Sequence, residues 1–286
     1  MTSFAIAAQR LSSKRRIDAV GRHVLLMGTS LLVLIPVAYM VLASFKSVPD
    51  FFGNPYGLPS KWMWENYTRA WNEAKIGTTL PNSIIVTASS VLASSFLSAL
   101  IGYGLSRRGK PLAKALYLLF VGGMLVPAQM IVLPLFILLR AVGLFGTLFA
   151  LIFPYIALGL PLGVLILTPI IATLPSELSD AARVDGANDW QIFWQIILPL
   201  LRPGLASVSI LNGVWMWNEF FIPLVVAFKA QSQTMPVGII SFIGTYSTEW
   251  GLVFASVVVS TAPAIVAYLL MTQQFVAGLT AGAMKG

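Results

Sequence analysis

The sequence predicts an all-α integral membrane protein with six spanning helices, and three observations predict it. First, 57% of its 286 residues are hydrophobic and 10% charged, with a mean hydropathy of +0.84, too apolar for a water-facing surface. Second, apolar runs near 24–44, 82–105, 115–139, 148–172, 205–227 and 252–276 are each long enough to cross about 30 Å of hydrocarbon as helix. Third, the basic residues are sorted by side. With an even number of spans, one side collects Arg10, Lys14, Arg15, Arg16, Arg22, Arg107, Arg108, Lys110, Lys114, Arg183, Arg202 and Lys285, twelve of the 18. By the positive-inside rule that side is cytoplasmic, together with both termini. The expected organisation is a cytoplasmic segment 1–23, a membrane domain 24–276 and a cytoplasmic tail 277–286.

In chain order, Lys14-Arg15-Arg16 reads as a topogenic charge beside the first span rather than a nucleic-acid patch, so no nucleic-acid partner is expected. The first run is too long for a signal-peptide core and lacks a small-x-small cleavage site. The outer loop 45–80 is rich in Pro and Gly, and its Trp62, Trp64, Tyr67 and Trp71 suit a short interfacial helix. The Asn66-Tyr67-Thr68 sequon within it is read as incidental. The second span carries Ser83, Thr87, Ser89, Ser90, Ser94, Ser95 and Ser98, small hydroxylated residues that allow close helix packing. Gly104 to Lys110 fits G-x-x-x-x-G-K, but Pro111 stands where a nucleotide loop needs Ser or Thr, so no nucleotide site is assigned. The third and fourth spans contain Pro127, Pro134, Pro154, Pro161 and Pro169, which are expected to kink them.

Residues 173–204 interrupt this pattern with Glu177, Asp180, Arg183, Asp185 and Asp189, then Trp190, Ile192, Phe193, Trp194, Ile196 and Ile197. A helix start is expected at Pro175-Ser176 with Ser176 as its cap, and a reversal at Gly186, where a Cβ would be resisted. A second helix over 188–198 comes next, with Trp190, Phe193, Trp194 and Ile197 at the spacing of one buried stripe. Such a helix could instead lie on lipid, but the acidic cluster suits a basic protein surface better than an anionic membrane.

Zero cysteines and one histidine, His23, leave no metal or Cys/His catalytic site and no cofactor on the chain. Glu219 is the one carboxylate placed inside a span, where it must face protein or water. Beside Trp217 and Asn218 it is either part of a polyol path or a structural partner, and Gln129 next to Pro127 has the same two readings.

The segment Asp180-Ala181-Ala182, then three residues, then Gly186, and later Ile196-x-Leu198-Pro199, resembles the EAA loop of ABC-importer permeases. So do Glu65-Asn66-Tyr67, Asn82-Ser83, Pro127-x-Gln129, Gly143-Leu144, Trp217-Asn218-Glu219-Phe220 and the ending Gly278 to Gly286. In order and spacing they resemble permease subunits of carbohydrate-type ABC importers, over nearly the whole chain beyond Ile35. That resemblance implies a type I importer fold and a multi-pass protein of a bacterial-type cytoplasmic membrane. It implies a second homologous permease, a dimer of ATPase subunits holding the Mg-ATP, and an extracytoplasmic solute-binding protein as partners. It further implies ATPase coupling through Asp180, Ala181, Ala182, Asp185, Gly186, Trp190, Phe193 and Trp194, and an ATPase contact at Met284, Lys285 and Gly286. Asp180 replaces the usual Glu. The solute is expected to be a sugar or oligosaccharide, the alternative being a glycerol-phosphate ester. A lone ion-coupled transporter, the rival class, would call for several intramembrane acids.

Overall fold

The computed structural model describes the backbone of residues 2–106, 110–244 and 248–283, and the side chains of 21–106, 111–244 and 248–270. In order the helices are α1 (Thr2–Ala43), α2 (Val48–Gly53), α3 (Glu65–Glu73), α4 (Ile76–Ser106), α5 (Lys110–Gly122), α6 (Val132–Ala141) and α7 (Phe149–Ala172). Then come α8 (Ser176–Val184), α9 (Asp189–Ile192), α10 (Leu198–Leu200), α11 (Arg202–Asn218), α12 (Phe221–Val226), α13 (Met235–Ile239) and α14 (Trp250–Ala283). Among the described residues, strand pairing is limited to the bridge Ile243–Thr248.

Four helical segments are long and apolar enough to cross a membrane unbroken: Gly21–Ala43, α4, α7 and Trp250–Leu270. Two bent pairs raise the number to six, Pro111–Leu125 with Ala128–Ala141 at 89°, and Asp189–Leu200 with Arg202–Asn218 at 73°. The expected third span is therefore broken. Pro127 cannot donate an N–H, and Val126 before it is extended, at φ −85° and ψ 113°, as a residue preceding proline prefers. By contrast Pro154, Pro161 and Pro169 lie within one uninterrupted α7. The fifth expected run also divides, because Glu219 is extended at φ −65° and ψ 126° between α11 and α12.

The chain forms two compact units, residues 1–69 with 243–258 and residues 70–242 with 259–286. In the first, Phe45 packs its ring against Trp62, Trp64 and Tyr67 at centroid distances of 5.2, 4.6 and 5.3 Å. Asn66 is buried, and its Nδ2 donates to the carbonyls of Ser44 and Lys46 at 2.9 and 3.0 Å. These bonds satisfy carbonyls of the turn that follows α1. They also keep the sequon amide inside the protein. Lys46 is buried too, its ammonium donating to the Asn54 and Pro55 carbonyls, which offsets the cost of withdrawing a charge from water. Asp50 accepts from the Ser60 hydroxyl and N–H at 2.7 and 3.0 Å, and these bonds hold its carboxyl below the ordinary range.

The second unit is built around α4 and α7. One face of α4 buries Ser83, Ser90, Ser94, Ser95 and Ser98, while Ile84, Ile85 and Leu92 are exposed on another. This is a protein face of small residues and an outer face of bulky ones. On α7, Gly159 and Gly163 let the backbones close in. A Cβ on Gly159 would come within 3.1 Å of Ser94 Cβ, and one on Gly163 would overlap the Ser98 side chain. Hydrogen bonds run across the contacts: Ser95 with Ser209 at 3.2 Å, and Asn212 Nδ2 to the Gly159 carbonyl at 3.1 Å. At the head of α4, Asn82 donates to the Gln231 and Gln233 carbonyls, and the Ser83 hydroxyl accepts from the Met235 N–H at 2.8 Å. The second span is an interior packing helix, as its serines indicate.

Gly163→Ala should destabilise this unit by about 1–3 kcal/mol, the usual cost of overpacking, read as a lower unfolding temperature in detergent. Adding Ser98→Gly to the same chain should recover most of the loss; no recovery would contradict the assigned contact.

Candidate functional site

The polar loop between α7 and α11 is made of two helical arms joined by a left-handed turn. α8 begins at Ser176, but Pro175 holds the cap position and no side chain caps it. Ser176 is thus the first helical residue, not the cap. Proline favours the extended dihedrals a cap needs and has already displaced the residue that could donate an acceptor. Glu177 lies in the first turn and Arg183 in the last, both with the sign that suits the helix ends. At Gly186 φ is +86°, a conformation that a side chain resists by roughly 1–2 kcal/mol. A Cβ there would meet nothing within 4 Å, so glycine is needed for its dihedral and not for space.

The second arm starts with a capping box. The Asn188 side chain accepts from the Gln191 N–H at 2.9 Å, and Gln191 Oε1 accepts from the Asn188 N–H at 2.8 Å. After one α turn the backbone widens into a π turn over Phe193–Ile197, in which the Leu198 N–H reaches back to the Phe193 carbonyl. Pro199 supplies the reason: it has no N–H for the Gln195 carbonyl, and its ring would crowd that carbonyl in a tight helix. Arg183 joins the two arms, its guanidinium lying 2.8 Å from Asp180 Oδ1 and 3.4 Å from Asp189 Oδ1. The shorter Asp180 is thus engaged within its own chain. Both contacts are at the surface and stabilise only slightly in isolation.

The stripe expected of Trp190, Phe193, Trp194 and Ile197 splits into two faces. Ile192, Phe193, Ile197 and Leu201 are at most 4% exposed and cluster with Ala99 and Tyr103 of α4, Leu167 and Ile171 of α7, and Val208 of α11. Trp190 and Trp194 remain 54% and 44% exposed. Phe193 and Trp194 are about 100° apart around a helix, so one spacing pattern takes in both the covered and the open face. The Phe193 ring is the centre of the packing, with centroids 5.5 Å from Tyr103, 5.9 Å from Trp190, and 6.0 Å from both Phe96 and Trp194. Phe96 and Tyr103 were not singled out from the sequence, though their seven-residue separation places them on one face of α4. Asp180, Ala181, Asp185 and Gly186 are exposed and Ala182 is half-buried, so the acidic and small residues form one accessible ridge. Phe193 is turned inward, away from that ridge.

The second group of candidates is not at this loop. Gln129 is exposed on the 3-10 turn Ala128–Ile131 at the break in the third span. Glu219, expected inside a spanning helix, instead occupies the break after α11, and its Oε1 accepts from the Ile222 N–H at 3.0 Å. It caps the start of α12. Asn218 Nδ2 donates to the Val214 carbonyl of its own helix at 2.8 Å, and Trp217 is half-buried. Met284, Lys285 and Gly286 lie outside the described residues. Among the described residues no cluster of His, Cys, Asp or Glu could hold a metal.

Comparison with known proteins gives consistent matches. The family model described as "Binding-protein-dependent transport system inner membrane component" matches residues 94–276. The chain is similar to the diacetylchitobiose uptake system permease protein NgcG of Streptomyces coelicolor, 32% identical over 282 residues, 98% of this chain and 93% of that one. It is similar to the trehalose/maltose transport system permease protein MalG of Thermococcus litoralis, 35% identical over 281 residues, 95% and 99% of the two chains. A crystal structure of a bacterial ABC transporter involved in import of the acidic polysaccharide alginate shares the fold. Its TM-score is 0.75 at 24% identity, covering 91% of this chain and 97% of that one.

The loop geometry sets a distinction between two substitutions at Gly186. Gly186→Val should expose the Gly186 and Ala187 amides, which bond the Arg183 and Ala182 carbonyls, to faster hydrogen exchange. Gly186→Asn, which tolerates positive φ, should leave them protected; equal exchange in both would contradict a conformational role.

Proposed function

The chain belongs to the family of binding-protein-dependent transport system inner membrane components, and on that premise we propose how it works. It is the permease subunit of an ATP-driven importer, set in a cytoplasmic membrane with both termini inside. It pairs with a second, homologous permease and sits on a dimer of ATPase subunits that hold the Mg-ATP. Solute reaches it from an extracytoplasmic binding protein. This membership sets aside an ion-coupled transporter working alone.

One observation carries the mechanism. The loop 173–204 presents an exposed ridge of Asp180, Ala181, Asp185 and Gly186 with half-exposed Trp190 and Trp194. Its opposite side is fused to α4, α7 and α11 through the cluster around Phe193. A partner that moves the ridge therefore moves three membrane helices at once, since packed cores shift between discrete arrangements and do not deform continuously. Trp190, Trp194 and Ala182 provide the apolar contact for the ATPase, and the acidic residues meet basic groups upon it. Phe193 transmits the motion rather than making the contact. The tail residues Met284, Lys285 and Gly286 supply a second ATPase contact.

The solute is a sugar or oligosaccharide. Relatives whose names specify diacetylchitobiose and trehalose/maltose support that class at about one-third identity. Gln129 and the Trp217-Asn218 pair stand at the breaks in two spans, where polar groups and aromatic faces can meet a hydrated solute. We assign them to the solute path, with Glu219 holding the second break open.

In vesicles containing the complete transporter and its binding protein, Trp190→Ala with Trp194→Ala should reduce ATP-driven sugar uptake at least tenfold. Membrane insertion of the chain should be unchanged. Uptake at the wild-type rate would contradict the coupling assignment.

A further inference from the structure

The helix that receives Phe193 near one end carries a second set of bonds near the other. α4 contains a single proline, Pro81, and Asn82 and Ser83 directly follow it. The bond that Pro81 cannot make is to the Gly77 carbonyl, so any slack lies before Asn82. From Asn82 to Tyr103 the helix rises roughly 30 Å, the thickness of a bilayer's hydrocarbon. Thr79, Asn82, Ser83 and Val86 are all buried, and their spacing puts them on one face.

That face holds the segment between α12 and α13. Residues 227–234 have no helix or strand of their own, so the segment takes its position from what its backbone is tied to. Asn82 Nδ2 donates to the Gln231 and Gln233 carbonyls at 2.8 and 3.0 Å, and the Ser83 hydroxyl accepts from the Met235 N–H at 2.8 Å. Thr79 Oγ1 donates to Met235 Sδ at 3.1 Å, and Met235 is fully buried. A Cβ on Gly238 would come within 2.9 Å of the Ala74 carbonyl oxygen, so α13 is seated on the head of α4 without clearance. Phe228 to Gln231 remain exposed, and the segment therefore has one tied side and one open side. The covalent route from the loop to this segment, through α11 and α12, is interrupted at the extended Glu219.

We propose that Asn82 and Ser83 are positioning residues that make the segment 227–239 follow the cytoplasmic loop, with α4 as the strut between them. The inference rests on the reading of that loop as the ATPase contact. A displacement of the Phe193 cluster moves Ala99 and Tyr103, and with them α4, since packed interiors transmit strain with little compression. Asn82 and Ser83 then carry the segment at the opposite end. Coupling between sites is reciprocal, so a partner that fixes the open side at Phe228 biases the loop in return.

The test uses the complete transporter in vesicles and a chain that has no cysteine of its own. Spin-label pairs at Leu92 with Phe228, and at Val184 with Leu92, all exposed positions, are measured by pulsed dipolar spectroscopy with and without nucleotide. In the parent both distributions should be narrow and unmoved by nucleotide. Asn82→Ala with Ser83→Ala should broaden the Leu92–Phe228 pair alone. Sugar moved per ATP hydrolysed should fall at least about fivefold, the low end of usual coupling between sites. If that double variant does not assemble, Ser83→Ala alone, which removes one hydroxyl, is read by the same measurements. A Leu92–Phe228 distance that shifts with nucleotide in the parent, a narrow one in the variant, or an unchanged ratio of sugar to ATP would each overturn the proposal and leave the loop assignment standing. A shift of the Val184–Leu92 pair in the parent would overturn the loop reading and the proposal together.

Discussion

The burial of Phe193 is the contact on which the rest of the arrangement depends. A 32-residue polar loop on a membrane protein has no reason to hold one orientation unless it is anchored. Here a fully buried aromatic ring, with Ile192, Ile197 and Leu201 beside it, supplies the anchor. Truncating such a side chain to alanine typically costs about 3–5 kcal/mol, far more than the surface contacts of Arg183 with Asp180 and Asp189 contribute. The loop is therefore held from beneath, by packing, and its acidic ridge is left accessible. In the proposed mechanism this division gives transmission of force to the buried face and recognition to the exposed one.

Two kinds of packing are used in the second unit, for different surroundings. Between α4 and α7 the contact is made by Ser94 and Ser98 against Gly159 and Gly163, because lipid competes with any purely apolar side chain and only close approach distinguishes protein from hydrocarbon. At the loop, where water is the competitor, large aromatic and aliphatic groups are buried instead. A displacement of the Phe193 cluster thus reaches α4 and α7 where they are already in close backbone contact. The breaks at Pro127 and Glu219 interrupt two other spans and provide positions where helical segments can reorient without unwinding.

Much of this was legible in the chain itself. Apolar run length located the candidate spans, four of them unbroken helices and two of them bent pairs, the serines of α4 gave its interior position, and Gly186 the reversal, since each follows from a local rule of length, size or dihedral. The paired motifs Glu65-Asn66-Tyr67 and Asn82-Ser83 were visible as patterns, but not their purpose. Asn66 ties down the turn after α1 and Asn82 holds the loop before α13, both through bonds to backbone distant in sequence. The faces of Trp190, Phe193 and Trp194 were misassigned because one i, i+3, i+4 pattern takes in residues about 100° apart around a helix, and only packing decides which of them is covered. Glu219 was misplaced because an apolar stretch gives no sign that its backbone is extended. Helix breaks between apolar residues are set by tertiary packing and by single carboxylate–amide bonds, which composition does not reveal.

The central claim is that loop and membrane helices move as one body through Phe193. Spin labels at Val184 and Leu92, which are 88% and 70% exposed, would report the distance between them by pulsed dipolar spectroscopy in the assembled transporter, with and without nucleotide. A narrow distribution that is retained through the cycle is expected in the parent chain, with a broadened one and at least tenfold slower uptake in Phe193→Ala. A distribution equally narrow in Phe193→Ala, with uptake intact, would contradict the account.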